Sequence, residues 1–64
     1  MKFRADIMEH TLRVTTDDGQ VFEGQGYTYS SVENADLYGV NEDSLEIDGT
    51  MLFESDIVSI EYLD

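Results

Sequence analysis

Apolar and polar residues alternate through Thr11-Leu12-Arg13-Val14-Thr15-Thr16. This is the period of a half-buried strand, with Leu12 and Val14 turned inward. Asp17-Asp18-Gly19 follows, and an Asp-Gly step between alternating runs predicts a hairpin, because glycine supplies the positive φ the turn needs. Gln20 to Tyr29 is then the return strand. Gly24 and Gly26 inside it, flanked by the strand formers Phe22, Tyr27 and Tyr29, predict a sharp bend where one strand serves both sides of a closed sheet. Alternation resumes in Ser44-Leu45-Glu46-Ile47-Asp48, with Leu45 and Ile47 inward. Gly49-Thr50 turns the chain into Met51-Leu52-Phe53, Glu54-Ser55-Asp56 interrupts, and Ile57 to Leu63 forms the last strand. Ser55 or Asp56 is placed to cap a tight turn there by accepting backbone N–H bonds.

Two segments resist the pattern. Residues 30–44 carry turn residues and acids around Leu37, Tyr38 and Val40, and read as a long loop or as two short strands around a turn. A loop of that length in so small a domain points to a function or an interface. Residues 1–10 read as a short helix with Phe3, Ile7 and Met8 on one face, or as an extension of the first strand; the helical reading is preferred. The expectation is an all-β fold: a single small five-stranded barrel spanning residues 1–64, with a short N-terminal helix.

Charge changes the picture most. Fifteen Asp and Glu residues against three Lys and Arg give a formal net charge of −12 over 64 residues. Such a surface repels nucleic-acid backbones and anionic membranes and attracts basic partners. At 41% apolar residues, the chain is too hydrophobic for a disordered acidic tail. It has no cysteine and no proline, so neither a disulfide nor a thiolate metal site supports the small core. Self-association is the expected remedy, since domains of this size bury little apolar surface. No apolar run approaches the roughly 18 residues of a membrane span, and Asp6 and Glu9 interrupt the N-terminus before any signal-like stretch. A cytoplasmic protein is expected.

The pattern resembles the Sm-like (LSm) small β-barrel family. Gly19-Gln20-Val21-Phe22-Glu23-Gly24 is similar to that family's first motif, and Leu52 to Ile60 to its second, a strand, a tight turn and a final strand. SH3-like barrels share much of the periodicity. The resemblance implies the barrel and assembly through edge strands. It does not carry over the RNA pocket. The family's Arg-Gly pair at the later turn is replaced here by Glu54-Ser55, no Asp-x-x-x-Asn arrangement aligns in the loop after the second strand, and Gly26 stands where a large apolar residue is usual. That loop offers Asn34, Asp36 and Tyr38 instead. Only Lys2, Arg4 and Arg13 are available to neutralise phosphates, so nucleic acid is not an expected ligand.

Catalytic and metal chemistry finds little support. Asn34-Ala35-Asp36-Leu37-Tyr38-Gly39 faintly resembles the start of a calcium loop, but Leu45 stands where the twelfth-position acid belongs. His10, the only histidine, has no second histidine, cysteine or nucleophile in the pattern, and reads as an exposed or edge-strand residue. The pairs Asp17/Asp18 and Glu42/Asp43 fall in predicted turns rather than in a cleft that would separate their acidities. No cofactor, no metal and no enzymatic activity are expected. The remaining candidate is an acidic face of Glu46, Asp48, Glu54 and Asp56, with Glu46 and Asp48 opposite Leu45 and Ile47. The expected function is a non-enzymatic protein-interaction module, an acidic barrel that forms a homo-oligomer and binds a basic protein partner. The alternatives are a nucleic-acid-mimic inhibitor from a phage or mobile element, and an Sm-like RNA-binding protein.

Overall fold

A computed structural model describes residues 3–64. Lys2, one of the three basic residues of the chain, lies outside the described residues. Five antiparallel strands run β1 (Thr11–Thr16), β2 (Val21–Tyr29), β3 (Ser44–Ile47), β4 (Thr50–Phe53) and β5 (Ile57–Tyr62), in the spatial order β4-β3-β2-β1-β5. Among the described residues one α-helix, α1 (Ser31–Tyr38), follows β2. One-turn 3-10 helices cover Ile7–Glu9 and Glu54–Asp56.

The expected hairpin forms. Thr15 pairs with Val21, Gly19 has φ 86°, and the buried Thr16 hydroxyl donates to the Asp18 carboxylate inside the turn. That bond holds the Asp18 carboxyl below its usual value. The bend in β2 also forms. The strand pairs with β1 through Gln25 and with β3 from Gly26 onward, so one strand belongs to two half-sheets. Its two glycines serve different ends. Gly24 has φ 144°, a conformation side chains rarely adopt. Gly26 is needed for space, since a Cβ there would lie 2.6 Å from Leu45 Cδ1 and 3.0 Å from Leu12 Cδ1.

The sheet is open, which corrects the closed barrel. β4 and β5 each pair on one side, and no ladder joins them among the described residues. Five flat strands at about 4.8 Å spacing would separate the edges by about 19 Å. The three residues of the 3-10 turn between β4 and β5, at about 2 Å rise each, cover less than half of that. The sheet therefore curls strongly without its edges joining. Asp56 caps that turn as expected, its Oδ2 accepting the Phe53 N–H at 3.1 Å.

Within the curl lies one core of Ile7, Leu12, Val14, Leu45, Ile47, Leu52 and Ile57, with Phe3, Phe22, Ile60 and Tyr62 packed against it. The expected N-terminal helix is only the turn Ile7–Glu9. Ile7 is buried and Phe3 half-buried, while Met8 is exposed.

Two further expectations are corrected. Residues 30–44 hold a helix rather than a loop or strands. Ser30 Oγ accepts the Glu33 N–H at 3.3 Å, and the Ser-x-x-Glu spacing is that of a capping box. Gly39 in the left-handed conformation ends the helix, its N–H bonding to Ala35 O. Asp48 is not in β3 but in the two-residue turn Asp48-Gly49, where both residues have positive φ (52° and 74°). That geometry matches the right-handed twist of the flanking strands.

Candidate functional site

Strand register determines which residues share each face. Directly opposed pairs place Tyr27 and Tyr29 of β2, Ser44 and Glu46 of β3, and Met51 and Phe53 of β4 on one side. Gly26, Thr28, Leu45, Ile47, Thr50 and Leu52 face the core on the other. The outer side of this half-sheet is thus not the negative wall the sequence implies. It is an aromatic and thioether surface around one carboxylate.

Helix α1 is fastened onto this side by one polar residue. Asn34 is buried, and its Nδ2 donates to Glu42 O at 2.7 Å and to Ser44 Oγ at 3.0 Å. At the helix start, the Ser31 N–H donates to Asp43 Oδ1 at 2.7 Å. At its end, the Tyr38 ring meets Phe53 edge-on at 6.5 Å. Between α1 and the β3–β4 hairpin remains a cleft of about 290 Å³ lined by Tyr29, Asn34, Leu37, Tyr38, Glu46, Gly49 and Met51. Leu37 and Tyr38 at its rim are 69% and 55% exposed, although their apolar area would favour burial. The Tyr29 hydroxyl donates to Glu46 Oε1 at 2.9 Å, and that bond raises the phenol above its ordinary acidity range. Glu46 is half-buried, and no cation among the described residues pairs with it.

Glu46, Asn34 and Tyr38 are therefore brought together, though Asn34 is spent on holding the helix. The other candidates lie elsewhere. Asp36 is exposed on α1, a helix rather than the expected loop, and the helical backbone also removes the calcium-loop reading of residues 34–39. Asp48 is exposed at the hairpin tip, Glu54 opens the 3-10 turn at the opposite end of β4, and Asp56 caps that turn. The four acids proposed as one face are thus dispersed, Glu46 within β3, Asp48 at the hairpin tip, and Glu54 and Asp56 at its other end. Glu42 and Asp43 have structural partners too, Glu42 Oε1 accepting the Ser55 N–H at 2.9 Å and Asp43 capping α1.

Sequence reasoning missed Tyr29, Leu37 and Met51 as lining residues. Ser30 to Glu33 and Gly39 were legible as helix limits, and Tyr27 and Tyr29 as one face of a strand. It also missed a clamp between the two ends of the chain. His10 Nε2 lies 3.0 Å from Asp6 Oδ2, and Nδ1 lies 3.1 Å from Asp64 Oδ1. Arg4 bonds Asp6 at 2.7 Å and sits 4.1 Å from the Tyr62 ring centre. The Asp6 bond, then the Asp64 bond, raises the His10 pKa. Asp6 is lowered mainly by Arg4, and Asp64 mainly by the Thr11 N–H. His10 is thus a partly buried bridge rather than a bare edge residue.

No family model, curated protein or solved structure matches this chain.

Proposed function

We propose that this chain is a non-enzymatic protein-interaction module, an acidic, strongly curled Sm-like sheet that self-associates and binds a basic protein partner. The observation that carries the reading is the fate of its cations. Arg4 pairs with Asp6, and Arg13 lies between Glu23 at 2.7 Å and Glu61 at 3.6 Å. Both described arginines are held within the chain, while the sequence retains its excess of twelve negative charges. That excess steers basic surfaces toward the protein and opposes phosphate backbones, so it argues against the RNA role of Sm-like proteins. Self-association is supported by β4 and β5, whose outer edges present backbone donors and acceptors without a ladder partner. The Sm-like reading is supported by the glycine-marked bend in β2 and by the strand, tight turn and final strand over residues 52–60.

The test is twofold. Light scattering after size-exclusion chromatography is expected to give a mass above the 7.3 kDa monomer, and a strictly monomeric species removes the assembly. Retention of a small basic protein on the immobilised chain is expected at low ionic strength and lost at high salt; failure at low salt removes the basic partner.

A further inference from the structure

We propose that the cleft between α1 and the β3–β4 hairpin receives a single basic side chain, an arginine or lysine projecting from the protein partner. The inference rests on the reading that the partner is basic, and it assigns the place and chemistry of contact. Three observations converge on it.

Glu46 is a half-buried carboxylate whose recorded partner is the neutral Tyr29 hydroxyl, bound to one of its two oxygens. Oε2 therefore retains its acceptor capacity, and each carboxylate oxygen has two lone pairs. A charge-assisted bond there would be shorter and stronger than the phenol contact already present.

The walls suit a cation with an apolar stem. Tyr29 and Tyr38 line the cleft with Leu37 and Met51. Aromatic rings attract ammonium and guanidinium groups through their quadrupole, and the methylenes of Arg or Lys pack against aliphatic and thioether surface while the head reaches the charge. At about 290 Å³ the opening takes one long side chain, smaller than most cofactor sites.

The field has the required sign. Besides Glu46, Glu33 on α1 acts on the Tyr29 phenol, raising its pKa in the same direction. Of the described arginines, Arg13 lies in the other half-sheet between Glu23 and Glu61, and Arg4, which lines a neighbouring cleft with Tyr29 and Glu33, is ion-paired with Asp6. Among the described residues no cation pairs with this carboxylate, and an incoming basic side chain would complement it.

Nuclear magnetic resonance of the isotope-labelled full chain tests this with short capped glycine–serine peptides carrying a central arginine, lysine or glutamine. Saturable shifts confined to the amides of Tyr29, Leu37, Tyr38, Glu46, Gly49 and Met51 are expected with arginine or lysine and not with glutamine, and the tighter of the two identifies the side chain. Glu46→Gln keeps an acceptor for the Tyr29 hydroxyl and so preserves the fold. It should weaken the basic peptide about tenfold, the effect of about 1.4 kcal/mol. Tyr38→Leu keeps apolar cover but removes the ring, and should weaken it about two- to fivefold. Asp17→Asn, an exposed acid in the β1–β2 turn, should change affinity less than about twofold, as a screened surface charge does. Equal losses for Glu46→Gln and Asp17→Asn, or shifts scattered over the whole acidic surface, overturn the cleft while leaving a basic partner in place. Retention of a basic protein without any peptide shift overturns it likewise. Failure to retain anything basic at low salt overturns both readings together.

Discussion

Outside the β1–β2–β5 half-sheet, one arginine sits between two carboxylates, Arg13 with Glu23 and Glu61, on three adjacent strands. Outside the β2–β3–β4 half-sheet, one carboxylate sits among rings and a thioether, Glu46 with Tyr27, Tyr29, Met51 and Phe53 on its face. On the first side every one of these charges has an ion-pair partner in open water, and all three groups are substantially exposed. The second is partly roofed by α1, and among the described residues its carboxylate pairs with a neutral hydroxyl rather than a cation. Charge on a roofed apolar surface counts for more than the same charge in open water, because the local dielectric is lower. Two faces of one curled ribbon thus differ in kind: one holds its charges in exposed ion pairs, and the other holds a carboxylate among rings.

The comparison depends first on the joint between the halves. Gly26→Val places methyl groups where even a Cβ comes within 2.6 Å of the buried Leu45. Overpacking of this sort should cost about 3 kcal/mol, read as a lower urea midpoint. An unchanged midpoint would mean that the halves are not packed this closely.

Next comes the roof. Asn34→Ala removes the two side-chain bonds that α1 makes through Nδ2 and leaves Glu42 O and the buried Ser44 hydroxyl without that donor. A loss of about 1–2 kcal/mol is expected. Amide exchange over Ser31–Tyr38 should accelerate more than exchange in β1. Uniform acceleration would instead show that the helix is not separately fastened.

How much of this arrangement was legible depended on how local its cause was. The Asp17-Asp18-Gly19 hairpin, the bend at Gly24 and Gly26, the Asp56 cap and the inward positions Leu12, Val14, Leu45 and Ile47 all follow from signals a few residues long, and all appear. Helix α1 had local signals too, but with a weak apolar stripe: its buried residue is the polar Asn34. A period-based reading has nothing to detect when a helix is anchored by an amide rather than by leucines. Asp48 slid out of β3 because Asp-Gly and Gly-Thr both offer a turn, and only pairing of Ile47 with Thr50 decides between them. Charge density suggested a continuous acidic face, whereas cross-strand register dispersed it. Sheet closure was the least legible, since it depends on two edges far apart in hydrogen-bond order.

A smaller effect sharpens the contrast between faces. Arg13→Gln should lower stability only slightly, because exposed ion pairs are screened. Its urea midpoint should move little and less still in high salt. A large, salt-insensitive loss would mean that this face is not the wet one described.

The smallest expected effect concerns how the first half is closed at the chain ends. His10 bridges Asp6 and Asp64, and both of its ring nitrogens serve as donors only when the imidazole is protonated. Its folded pKa is raised above the ordinary 6.5. The clamp's contribution is therefore complete below 6.5 and is lost as pH rises through the raised value. The folded pKa values of Asp6 and Asp64 are depressed below 3.8, so their contribution is present above 3.8 and is lost as pH falls through the lowered values. The ends should be held best between these limits. The groups facing the ring besides the two acids are Arg4, through Asp6, and the Tyr62 ring, which meets it edge-on at 5.5 Å. Imidazole proton shifts followed against pH should give a midpoint above 6.5. Asp64→Asn should bring that midpoint back toward 6.5 without abolishing the rise, since Asp6 is the larger cause. A wild-type midpoint at or below 6.5 would mean that the chain ends are not joined through His10, and the first half-sheet would then be as open at its margin as the second.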